Sequence, residues 1–205
     1  ETQIIEGASA IFMKYGIKSV NMDDVAKNLR ISKKTLYKYV SDKSDLLRKA
    51  LNVHGQLEDS TIRSICNKNL NAIDELFEIS HFIGNMLKEI HPSIHFDLEK
   101  YHPELWNELL DSRHKMVYEC TYANLKKGIA EGLYRKDLNA EVIARIYMAK
   151  MDVVFDGELF PPNEFNFQQV YLDYFRYHIR GLASDEGIKY LVQKMKDEKL
   201  KIVES

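Results

Sequence analysis

The sequence predicts an all-α protein: an N-terminal three-helix helix-turn-helix unit followed by a larger helical domain. Three observations predict it. Apolar residues recur at helical spacing from residue 4 nearly to the end of the chain. Only 9 Gly and 4 Pro stand in 205 residues, too few for the many turns of an all-β fold. Helix start and stop signals divide short segments at the N-terminus from long ones beyond residue 55.

In the first segment Ile4, Ile5, Ala8, Ile11, Phe12 and Tyr15 form one stripe, and Gly16 stands where a helix C′ residue belongs. Asn21 caps a second, two-turn helix with Asp23 and Asp24 in its first turn and Met22, Val25, Ala26 and Leu29 on its apolar face. The turn over 28–32 places Ile31 among polar residues, where it can plug the corner between helices. Ser32 caps a third helix expected to run to about Val40, and Ser41 or Ser44 opens a fourth reaching at least His54. Three compact helices with a short turn between the second and third describe a helix-turn-helix. Longer helices are expected over 72–90, 103–127, 139–157, 166–183 and 185–201, with breaks at His91-Pro92, His102-Pro103, 132–139 and Pro161-Pro162-Asn163. Val153-Val154-Phe155 favours a strand locally, but its flanks keep helical spacing. The expected units are 1–50 and 51–205.

Composition removes several classes. The chain is 45% hydrophobic and 29% charged, an ordinary globular balance. No stretch approaches the roughly 20 apolar residues of a membrane span, so no membrane partner is expected. No basic-then-apolar leader opens the chain, and its start at Glu1 rather than Met leads one to expect residues before it. Cys66 and Cys120 are too few for a disulfide framework or a zinc site, and read as reduced thiols of a cytoplasmic protein. Net charge is −2, but residues 1–50 hold 10 Lys+Arg against 6 Asp+Glu, which leaves the remainder acidic. A basic end on an acidic body suggests two tasks, one with a polyanion.

The third helix carries that suggestion further. On Lys33-Lys34-Thr35-Leu36-Tyr37-Lys38-Tyr39-Val40, Leu36 and Val40 share the face that packs inward, and Lys34 and Lys38 lie opposite. Lys33 and Tyr37 lie on one flank and Thr35 on the other. Lysines neutralise phosphates and release counterions. The hydroxyls of Tyr37, Tyr39, Ser32 and Thr35 can bond phosphate oxygens, and Lys34 or Thr35 can reach a base edge. Lys43, at the start of the next helix, is placed to hold one more phosphate. The partner these residues fit is double-stranded DNA.

Residues 4–50 resemble the DNA-binding domain of the tetracycline-repressor (TetR) family of bacterial regulators. The matching text is Ala8-x-x-x-Phe12-x-x-x-Gly16, then Met22-Asp23-Asp24-Val25-Ala26, then the run over 31–46, which opens Ile31-Ser32-Lys33-Lys34-Thr35-Leu36-Tyr37 and ends Asp42-Lys43-Ser44-Asp45-Leu46. Gly128-Ile129-Ala130-Glu131-Gly132-Leu133-Tyr134-Arg135 is similar to a link common in the family's second domain. Two positions depart from the pattern: Arg30 stands where the family often has Gly, and Val40 where it usually has Phe. A left-handed Arg30 costs on the order of 1 kcal/mol relative to Gly.

The resemblance implies a homodimeric regulator, usually a repressor, on a palindromic operator. Its recognition helix would be residues 33–40. Tyr37, Tyr39 and Lys43 would hold phosphates, Lys33, Lys34 and Thr35 would face the groove, and Asn21 would add a phosphate contact. The second domain would enclose a pocket for a small-molecule effector whose binding shifts the fourth helix and spreads the recognition helices. Lining candidates are Phe82, Met86, Trp106, Arg113, Tyr118, Tyr122, Met151 and Phe155. Arg113 falls among Leu109, Met116, Val117 and Cys120 on an otherwise apolar stripe, where it anchors an anionic ligand or pairs with an acid.

Val142, Ile143, Ile146, Val153 and Val154, and then Val170, Tyr171, Tyr174, Phe175, His178, Ile179 and Leu182, make two helices too apolar for one-sided burial, which suits an interface with a second copy. His91, His95 and His102 lie near Asp97 and Glu99, but Pro92 and Pro103 interrupt them, so they read as loop histidines and no metal or cofactor is expected. Paired carboxylates, a nucleophile elbow and a phosphate-binding glycine loop are lacking, so an enzyme is not expected. The alternative reading is a helical interaction or ligand-binding protein that has lost specific operator binding, with Arg30 and Val40 as its hints.

Overall fold

The computed structural model describes the backbone of residues 1–203 and the side chains of residues 1–196, so the tail of the expected 51–205 unit lies outside the described residues. The first helix, α1 (Thr2–Tyr15), buries Ile5, Ala8, Ile11 and Phe12 and stops at Gly16, whose φ is 85°. α2 (Met22–Asn28) opens with a capping box in which Asn21 Oδ1 accepts the Asp24 amide at 3.0 Å and Asp24 Oδ2 accepts the Asn21 amide at 2.9 Å. It closes with the Ile31 amide on Ala26 O and the Arg30 amide on Lys27 O, the paired bonds of a Schellman motif. Arg30 therefore sits in the left-handed region, at φ 54°, and bears the strain that glycine would avoid.

α3 (Lys33–Leu36) is shorter than the helix expected over 33–40. Beyond Leu36 the amides of Lys38 and Tyr39 reach back three residues, to Thr35 and Leu36, so the chain tightens into turns. This tightening brings Val40 into the same core as Leu36. The residue that caps α4 (Lys43–Cys66) is Asp42, which accepts the Asp45 amide at 2.8 Å, not Ser41 or Ser44. α4 runs unbroken past residue 50.

α5 (Ala72–Glu89), α7 (Pro103–Ala130), α8 (Ala140–Val154), α9 (Phe167–Leu182) and α10 (Asp185–Val203) follow close to the expected spans. Between the two prolines the sequence reading is corrected: residues there form a helix, α6 (Ile94–Tyr101). Its Ile94 and Leu98 bury one i, i+4 pair, and Pro103 takes the first position of α7, where no amide donor is needed.

The described residues pack into three apolar clusters. The first joins Phe12, Val25, Leu36, Leu46 and Leu47 to Ile94, Leu98 and Leu105, so α6 and the start of α7 complete the core of the N-terminal helices. The second gathers Ile73, Leu125, Tyr134, Phe175 and Leu182. The third, with Ile62, Ile83, Leu87, Met151, Phe155 and Tyr171, surrounds a cavity. Of the residues expected at an interface, Val154, Tyr171, Phe175, Ile179 and Leu182 are turned into the chain's own core, whereas Val142, Ile146 and Val153 remain exposed.

Candidate functional site

The helix-turn-helix presents Lys33, Lys34, Tyr37 and Lys38 outward while Leu36 anchors α3 from below. Ser32 is spent on structure: its Oγ accepts the Thr35 amide at 3.0 Å and lies 2.8 Å from Thr35 Oγ1. Lys33 reaches back to Asp23 of α2 at 3.0 Å, and the bond to that carboxylate raises the ammonium pKa. Tyr39 is half-buried against the N-terminal core, and its carbonyl accepts Lys49 Nζ at 2.6 Å. Asn21 is exposed, but its amide and Oδ1 are used in the capping box.

Lys43 differs most from its expected part. Its Nζ donates to Ile17 O at 2.6 Å, and burial pulls its pKa down. It ties the α1–α2 loop to the start of α4. Lys34, Tyr37 and Lys38 thus remain as the exposed cation–hydroxyl–cation set on the outer side of α3.

A second site lies deeper. A cavity of about 70 Å³ is bounded mainly by α4, α5, α7 and α8, with His95 of α6 and Tyr171 of α9 also in its wall. Met86, Arg113, Met151 and Phe155 line it as the sequence suggests. Phe82, Trp106, Tyr118 and Tyr122 do not. Phe82 packs at the margin of the surrounding cluster, and Trp106 sits against the N-terminal core with its ring edge-on to His95. Tyr118 and Tyr122, one helical turn apart, stack on each other and take Arg145 and Lys126 over their faces.

Sequence reasoning missed Glu58 and His95. Glu58 Oε2 lies 3.7 Å from Arg113 Nη2, both side chains being nearly enclosed. The signal was present: on α4, Leu47, Leu51, Ile62 and Ile65 are buried, and Glu58 interrupts that stripe at helical spacing. His95, from the helix the sequence reading left as loop, stacks on Phe155 with centroids 4.7 Å apart. Burial, with help from the Arg113 charge, pushes its pKa down to about 3, so the ring is neutral.

The comparisons agree with this geometry. Residues 4–50 match the family described as bacterial regulatory proteins, tetR family. An HTH-type transcriptional regulator of Bacillus subtilis (strain 168), YvaF, is 24% identical over 169 residues, covering 82% of this chain and 88% of that protein. A transcriptional regulator from Cytophaga hutchinsonii ATCC 33406 shares the fold with a TM-score of 0.71 at 15% identity, over 89% of this chain and 98% of its own. A gamma-butyrolactone receptor (ArpA-like protein) does so with a TM-score of 0.60 at 11% identity, over 91% and 89%. The helix-turn-helix over residues 4–50 thus matches the tetR family of bacterial regulatory proteins, and over most of its length the all-helical chain is similar to transcriptional regulators.

Proposed function

We propose that the protein is a homodimeric repressor that holds a palindromic operator through two copies of α3 and is released by a small molecule entering the cavity. The observation that carries this reading is α4. One uninterrupted helix, Lys43–Cys66, begins beside α3, contributes Leu46 and Leu47 to the N-terminal core, and ends as a wall of the cavity. A ligand that displaces the cavity end of α4 thereby moves the α3 end. By linkage, that ligand binds the DNA-free state more tightly.

On DNA, Lys34 and Lys38 neutralise phosphates or reach the groove, and Tyr37 bonds a phosphate oxygen. Lys33 and Thr35 lie on the flanks of the same face. Dimerisation uses the outer sides of α8 and α9, where Val142, Ile146, Val153 and Tyr177 stand in solvent and the α9 stripe ends in the open surface at Gly181. The similarly folded gamma-butyrolactone receptor supports a receptor role for the cavity.

The test is selection of random duplex DNA by the purified protein at two salt concentrations, with oligomeric state measured by sedimentation. A palindromic consensus with half-sites about one helical turn apart, bound by a dimer, is expected. Binding without sequence enrichment, or a monomer at micromolar concentration, overturns the reading.

A further inference from the structure

The cavity shares a partition with a second space. A groove of about 350 Å³ runs between α4 and α7, and Glu58, Arg113 and Met116 belong to the walls of both. Among the groove's outer charges Arg48 pairs with Glu108 at 3.3 Å and Arg63 with Asp59 at 3.1 Å, and Lys115 and Glu119 stand in the same wall. The inner pair is different. Arg113 and Glu58 are 15% and 9% exposed, yet their closest approach, 3.7 Å, lies outside hydrogen-bond length. The guanidinium otherwise rests over the Phe155 ring at 5.7 Å. A buried ion pair recovers its desolvation cost only with good geometry, which this pair lacks at 3.7 Å. Arginine's planar fork is best met by a carboxylate that accepts two of its N–H groups.

Inside the partition the walls are apolar. The polar groups at the far end are already engaged: Asn124 Nδ2 donates to Ala72 O and Glu75 Oε1 at 2.9 Å each, and Asn124 Oδ1 accepts Tyr134 OH at 2.9 Å. His95 is neutral and adds no competing charge. The space as it stands would hold about two waters, but Met86, Met116 and Met151 line it, and methionine repacks readily around a chain.

We propose that the effector is a carboxylate amphiphile: its head is captured by Arg113 in place of Glu58, and its apolar chain lies in the cavity. Glu58, released, turns into the hydrated groove. Because Glu58 belongs to α4, the exchange acts directly on the helix that reaches the DNA-binding end. This inference rests on the ligand-released reading above and adds the ligand's chemistry to it.

The test uses the full chain and three probes of one chain length: octanoate, 1-octanol and octylamine. Trp106 is the only tryptophan, and its ring centroid is 5.8 Å from that of His95, so its fluorescence reports on the cavity. Octanoate is expected to bind at least tenfold more tightly than octanol, with octylamine weakest. Arg113→Met brings octanoate down to octanol's affinity. Glu58→Gln, which removes the competing carboxylate and keeps the shape, tightens octanoate several-fold without changing octanol. Equal binding of octanoate and octanol, tightest binding of octylamine, no binding of any probe, or an unchanged octanoate preference in both variants overturns the assignment. The selected operator, fluorescently labelled, separates the two readings. Release by octanol as readily as by octanoate keeps the effector reading and overturns the carboxylate. Tight octanoate binding without release keeps the anionic site and overturns the effector reading.

Discussion

Ile94 and His95 are adjacent in sequence but face different parts of the molecule: Ile94 is buried in the core of the N-terminal helices, while His95 stacks on Phe155 in the cavity wall. Further bonds hold α6 and the turn before it to the N-terminal unit. Asp97 Oδ2 accepts the Lys18 amide at 3.1 Å, and the His91 amide donates to Met13 O at 2.7 Å. A change in the cavity therefore meets the N-terminal helices through α6 as well as through α4.

The neutrality of His95 sets a pH dependence. Its folded pKa, about 3, lies below the ordinary 6.5, so below that value the unfolded chain binds the proton more readily. The stabilisation is present above pH 6.5 and is lost as pH falls toward 3. Urea unfolding is expected to show about 2 kcal/mol lost through His95 by about pH 5. His95→Phe should lose correspondingly less over the same interval, even though His178, also depressed by burial, to about 4, remains. Equal losses in both proteins would show that His95 is charged in the fold.

Lys34 and Lys43 should separate in their effects. Lys34 stands exposed on α3, whereas Lys43 is committed to Ile17 O. Lys34→Ala should reduce the slope of log affinity against log salt by about 0.9, the loss of one phosphate contact. Lys43→Ala should instead lower the melting temperature, with the salt slope nearly unchanged. Anisotropy titrations across salt, beside thermal melts, measure both.

Gly128 is a packing position. A Cβ there would stand 2.1 Å from the Tyr134 ring, which is fully buried and hydrogen-bonds Asn124. Gly128→Ala should destabilise the chain by about 1–3 kcal/mol, whereas Gly55→Ala, with open space around it, should not. Denaturant midpoints at fixed pH compare the two.

Cys66 and Cys120, half-buried on α4 and α7, lie close enough for each thiol to act on the other. The Cys120 thiol draws the Cys66 pKa down, while the Cys66 thiol and burial push Cys120 up. Iodoacetamide is expected to modify Cys66 first, as followed by peptide mass spectrometry. Faster labelling of Cys120 would show that the two thiols act on each other in the opposite sense.

The helix-turn-helix was legible because its signals are local. Asn21 with Asp24, Ser32 with Thr35, and the Leu36–Val40 pair all act within a few residues. The length of α3 was not, because helical spacing continues through Val40 while the three-residue hydrogen bonds replace helical ones. α6 was hidden by its flanking prolines: Pro92 and Pro103 read as breaks, although Pro103 serves as a helix start. The cavity was half legible. Met86, Arg113, Met151 and Phe155 were chosen on residue type and helix face, but the same criterion admitted Tyr118 and Tyr122, which the fold places in an outer stack.

By itself the sequence determined the helical class, every long element, the basic face of the helix-turn-helix and the tetR match of residues 4–50, since each depends on residue type and spacing along one helix. Only the tertiary structure decided that Lys43 turns inward, that Glu58 meets Arg113 across 55 residues, and that Ile94 and His95 divide their burial between two cores. Those facts depend on which helices become neighbours, and spacing within a helix carries no information about the side chain that a neighbouring helix will bring opposite.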